Sequence, residues 1–63
     1  MSFITKPTLY VIKNVETGRY WGGWMRRFIT SAKMAVKIER DDFTLTELIR
    51  RGFHVELEEY ESV

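Results

Sequence analysis

The chain has 63 residues, ten Lys or Arg against nine Asp or Glu, one His and no Cys. That is room for one small domain, with no disulfide staple, no thiolate metal site and no set of histidines for structural zinc. A chain this short buries only about 60% of its unfolded surface, so homo-oligomerisation is a plausible source of extra stability.

Residues 1–7 read as a lead-in ended by Pro7 and have no signal-peptide shape. No apolar run approaches the roughly 20 residues of a membrane span, so the default expectation is a cytoplasmic protein without membrane attachment. Residues 8–14, TLYVIKN, are rich in β-branched and aromatic side chains and predict a strand. Leu9 and Val11 share one face and Tyr10 and Ile12 the other. Apolar residues on both faces imply a central strand, or one with its second face covered. Asn14 to Gly18 carries the turn, with Gly18 suited to positive φ. Residues 19–25 return as the second strand of a hairpin. The Gly22-Gly23 pair inside that strand predicts a bulge, a bend or close approach by another backbone.

Residues 26–39 fit two patterns. Phe28, Ile29, Ala32, Ala35 and Val36 make a helical stripe, while Ala32, Met34, Val36 and Ile38 alternate as in a strand. The strand at 32–38 leaves more room for a loop at Arg40-Asp41-Asp42 and is the expectation adopted here.

Residues 43–57 are the best specified. Thr44 and Glu47 fit a capping box, with Phe43 and Leu48 placed for a hydrophobic staple. Leu45, Leu48 and Ile49 form one apolar stripe. Arg50 and Arg51 sit where positive charge suits the last carbonyls, and Gly52 and Phe53 fit the C′ and C″ positions of a Schellman motif. From Phe53, alternation puts Val55 and Leu57 on one face and His54, Glu56 and Glu58 on the other. Residues 61–63 are expected to fray. The fold class is α+β: a small antiparallel sheet from the 8–25 hairpin, the 53–60 strand and a strand at 32–38, with one short helix at 45–51 packed on one face.

The hairpin, Tyr10-Val11-Ile12-Lys13-Asn14 followed by Thr17-Gly18-Arg19-Tyr20-Trp21, resembles the opening of many short uncharacterised bacteriophage and prophage proteins. The likeness extends to the Ala32-Lys33 pair and the acidic final strand. It implies a class only: small accessory proteins that bind and modulate a host macromolecule.

Charge is unevenly spread. Residues 1–40 hold eight basic and two acidic side chains, net +6, and residues 41–63 hold two basic and seven acidic, net −5. Such asymmetry signals either a basic face for an anionic partner or two halves that pair in the fold. His54 lies in strand parity with Glu56 and Glu58, but no second positioned group completes an acid–base site. Asp41, Asp42, Glu56, Glu58, Glu59 and Glu61 lack the spacing of a calcium loop. No phosphate loop follows Gly22-Gly23. The sequence implies no enzyme, no cofactor and no metal. Tyr20, Trp21, Trp24, Arg26 and Arg27 form the candidate partner-binding segment, with Arg50 and Arg51 next. Trp, Tyr and Arg dominate protein hot spots, and rings beside guanidinium groups also suit single-stranded nucleic acid. Core packing of both tryptophans explains them equally well. The expected function is a non-enzymatic binding module that docks on a host or phage protein. Nucleic-acid binding is the alternative, and a self-assembling structural subunit is a third reading.

Overall fold

Strand β1 (Leu9–Asn14) carries partners on both edges. The computed structural model describes residues 8–60, so the expectations for 1–7 and 61–63 lie outside the described residues. The sheet order is β3-β2-β1-β4, with β2 at Tyr20–Trp21, β3 at Phe28–Ile29 and β4 at Val55–Tyr60. All pairings are antiparallel. One helix, α1 (Thr44–Arg50), packs on one face, so the fold is α+β.

The β1–β2 turn follows its chemistry. The Asn14 side-chain Oδ1 accepts from the Glu16 N–H at 2.9 Å and the Thr17 N–H at 3.2 Å. Gly18 takes φ +73°, a conformation open to glycine without a Cβ penalty. β1 then pairs with β4 over six residues, from Leu9 opposite Tyr60 to Asn14 opposite Val55. Ile12 therefore faces the same side as Leu57 and Val55. With Ile38 and Leu48 these build the core, and Tyr10, Trp21, Phe28, Val36, Leu45 and Leu57 pack around it. Ile12 is 0% exposed and Leu48 1%. Val11, on the opposite face, is also 1% exposed.

Two of the strand expectations need correction. The second strand does not run through 19–25; it ends at Trp21, and Gly23–Met25 forms a 3-10 turn. Nor is 32–38 a strand. The third strand is Phe28–Ile29, residues 32–34 turn, and within 32–38 only Ile38 makes a β-bridge to the sheet, two-way with Tyr10. The reason is competition for one edge. β2 leaves β1 after two residues, and the vacated edge at Tyr10 is taken by Ile38 (Tyr10 N–H to Ile38 C=O 2.8 Å, Ile38 N–H to Tyr10 C=O 2.9 Å). Lys37 closes the irregular segment. Its Nζ donates to the Lys33 and Ala35 carbonyls and lies 4.4 Å from the Tyr60 ring centroid.

The helix starts differently from its capping-box pattern. Asp42, not Thr44, supplies the cap: its Oδ1 accepts from the Thr44 N–H at 2.9 Å and the Thr44 hydroxyl at 2.5 Å. Those bonds hold the Asp42 carboxyl below its usual pKa. Phe43 is 73% exposed, so it makes no staple with buried Leu48, and Ile49 is exposed too. The helix end is as expected. Gly52 has φ +93°, its N–H reaches the Ile49 carbonyl, and the Phe53 N–H reaches the Leu48 carbonyl at 3.1 Å, which is the Schellman pattern. The Phe53 ring then packs edge-on against Phe28, centroids 5.2 Å apart.

Leu48→Ala should lower unfolding free energy by roughly 2–5 kcal/mol in urea titration, since it empties the centre of the core. Asp42→Ala should cost about 0.5–2 kcal/mol, against little change for Glu47→Gln. Because the folded-state pKa of Asp42 is depressed, its contribution is present above the unfolded carboxylate pKa and fades as pH falls through the folded value. The difference between wild type and Asp42→Ala should shrink below about pH 4. A gap independent of pH would contradict the cap.

Candidate functional site

The loop between β2 and β3, residues 22–27, gathers three of the candidate side chains: Trp24, Arg26 and Arg27. Its base is fixed by strand register, Trp21 opposite Phe28 and Tyr20 opposite Ile29. It is closed by the Gly22 N–H bonded to the Arg27 carbonyl at 2.8 Å. A second closure runs from the Arg26 N–H to the Gly23 carbonyl at 2.8 Å.

An added Cβ would be crowded at Gly22 and would clash at Gly23. A Cβ on Gly22 would stand 3.0 Å from the Arg27 carbonyl oxygen, and one on Gly23 only 2.7 Å from the Val36 Cβ. Gly23 also has φ +71°. The Val36 N–H in turn reaches the Trp21 carbonyl at 3.2 Å. The loop is thus clasped at its root by the irregular 35–38 segment. Arg26 takes φ +53°, uncommon for a residue with a side chain and a local cost the surrounding bonds must hold. The outcome is that Trp24 stands clear of the protein, 86% exposed, with Arg26 and Arg27 exposed beside it.

The other candidates divide. Trp21 is half-buried, packs against the core and meets Phe28 edge-on with centroids 5.2 Å apart. Its neighbour Tyr20 is half-buried and, by strand alternation, on the opposite face with Lys13. The bend at Gly22-Gly23 therefore separates the two tryptophans, one inside and one out. Arg50 and Arg51 are exposed at the end of α1, and Arg51 lies 4.0 Å from Glu47 one turn back. An exposed pair at that distance is worth little. His54 is exposed. Among the described residues no group of three His, Cys, Asp or Glu side chains is placed to hold a metal ion, and no helix is long and apolar enough to cross a membrane.

What the arrangement presents is one large exposed ring and two guanidinium groups on a loop tied down at both ends. Guanidinium groups suit carboxylate or phosphate bidentately, and the ring supplies apolar contact area at small entropic cost. The sequence pointed to this segment but not to the split between Trp21 and Trp24, which depends on Val36, a residue it placed in a strand at 32–38. No protein-family model, curated protein or solved structure matches the chain.

Gly23→Ala should be markedly worse than Gly18→Ala. Both positions have positive φ, but an added Cβ at Gly18 meets nothing within 4 Å. Each substitution carries roughly 1–2 kcal/mol of backbone strain, and Gly23→Ala adds about 1–3 kcal/mol of overpacking against Val36. Equal losses in thermal or urea unfolding would mean that the Val36 contact does not hold the loop.

Proposed function

We propose that this chain is a non-enzymatic binding module that docks on a protein partner through residues 22–27. The observation that carries the reading is Trp24, 86% exposed at the centre of a loop whose root is pinned. A tryptophan side chain buries about 150–250 Å² when covered. At about 25 cal/mol per Å² that is roughly 4–6 kcal/mol of gross transfer free energy available to a partner. Because the loop is held by its own hydrogen bonds, little ordering cost is left for the moment of binding. Arg26 and Arg27 then add charge-assisted hydrogen bonds to acidic groups at the rim of the pocket that takes the ring.

A protein partner fits better than a single-stranded nucleic acid. Strand binders of that kind line up successive rings along a basic groove. Here Tyr20 and Trp21 are half-buried on opposite faces of the sheet, and Trp24 alone of the three is offered. The resemblance of the hairpin to bacteriophage and prophage accessory proteins supports a host protein as the target.

The test is affinity capture from bacterial lysate with wild type, Trp24→Ala and Arg26→Ala/Arg27→Ala, each with and without nuclease. The expected result is one stoichiometric protein that survives nuclease. Its affinity should fall about 30-fold or more with Trp24→Ala, the loss of a hot spot of about 2 kcal/mol. Stability of that variant should change by less than about 0.5 kcal/mol, since the ring supports no core. Unchanged capture by the variants would overturn the site. Bound material that vanishes with nuclease and weakens steeply with salt would favour nucleic acid instead.

A further inference from the structure

A second surface, independent of the Trp24 loop, lies on the outer edge of β4. Hydrogen bonding along β1 alternates sides. Tyr10 and Asn14 use their backbone groups toward Ile38 and Arg19, so Leu9, Val11 and Lys13 are the residues that bond to β4. Their partners in register are Tyr60, Glu58 and Glu56. The backbone groups of Val55, Leu57 and Glu59 therefore point away from the sheet. None of these three has a hydrogen-bond partner on that edge among the described residues. The opposite edge strand, β3, is only two residues long. β4 thus leaves the longer open row of donors and acceptors, six residues from end to end, and such a row is a template for strand addition.

We infer that this edge accepts an extended peptide of alternating basic and apolar residues. Charge sets the choice. Glu56 and Glu58 project from one face of β4 and Glu59 from the other near its end, and all three are exposed. The one cation paired with them among the described residues is Lys13, 3.8 Å from Glu58. An incoming strand would set its basic residues across from Glu56 and Glu58 and its apolar ones beside Val55 and Leu57 on the core face. A second copy is disfavoured. Two β4 strands paired about a two-fold at Leu57 would bring Glu56 of each opposite Glu58 of the other, and like charges directly opposite are destabilising.

The test uses the whole chain, labelled with nitrogen-15, and a capped peptide of three Lys-Val repeats. In the free protein the Leu57 and Glu59 amides should exchange with solvent at least about 10-fold faster than those of Glu56 and Glu58, which bond to β1. Saturating peptide should slow Leu57 and Glu59 by a similar factor. A peptide of Glu-Val repeats should do nothing. Glu59→Pro removes an outward-facing N–H without touching the β1 ladder, so it should abolish peptide protection while the Glu56 and Glu58 amides stay slow. Glu56→Gln/Glu58→Gln should weaken the Lys-Val peptide about 10-fold. Slow exchange at Leu57 and Glu59 in the free protein would overturn the inference, because the edge would already be covered. So would peptide binding that leaves those two amides fast, or that survives Glu59→Pro. A mass that rises with concentration together with protection of the same amides would name a second copy as the occupant and overturn it as well.

Discussion

The contact between the Gly23 backbone and the Val36 side chain is the constraint on which the other features turn. A Cβ on Gly23 would fall 2.7 Å from that of Val36, so the two segments meet more closely than any other residue at 23 allows. With Val36 seated there, β2 cannot continue along β1. The chain leaves the sheet at Gly22, turns through the 3-10 segment and comes back as β3. The abandoned part of β1 is filled by Ile38, whose side chain joins Ile12, Leu48 and Val55 in the core. The same departure that shortens a strand thus completes the core and projects Trp24 outward. Trp24, 86% exposed, is the most exposed of the large apolar side chains among the described residues, ahead of Phe43 and Met34.

Charge follows from the same topology. The chain is basic before residue 40 and acidic after it, and the β1–β4 pairing lays a segment of the first part against a segment of the second. Lys13 beside Glu58 and Lys37 over the Tyr60 ring are the visible results. The Lys13–Glu58 pair, at 3.8 Å and partly open to solvent, stabilises little in water. The consequence is spatial: what is not balanced collects at two places. Arg26 and Arg27 stand exposed on the 22–27 loop, and Glu56, Glu58 and Glu59 stand exposed along β4.

Much of the fold was legible from local pattern. The Asn14–Gly18 turn, the alternation along β4 and the Gly52–Phe53 helix stop all depend on residues within a few positions of one another, and each holds in the structure. The errors are of two kinds. Asp42 took the cap from Thr44 because two donors on one residue, the Thr44 N–H and hydroxyl, both reach its carboxylate. A capping-box pattern weighs only the Thr44 and Glu47 positions and misses a carboxylate two residues earlier. The segment 26–39 failed for a different reason. Its conformation is set by Tyr10 and Trp21, distant in sequence, through the Ile38 bridge and the Val36 hydrogen bond. Neither helical nor strand periodicity encodes contacts of that range. For the site, Trp24, Arg26 and Arg27 were legible as a group by residue type, whereas the burial of Trp21 and the exposure of Trp24 were not. The glycine pair signalled a break but not its direction.

The central claim is that a glycine-rooted loop holds Trp24 outside the core in a fixed place. The most direct measurement is the heteronuclear nitrogen-15 NOE across residues 22–27 in the unmodified protein, read beside the water exchange of the Trp24 indole N–H. The account predicts NOE values for the loop amides close to those of β1, as for rigid backbone, together with an indole proton that exchanges rapidly with water. Loop values that drop well below those of β1, or an indole proton protected from water, would contradict it.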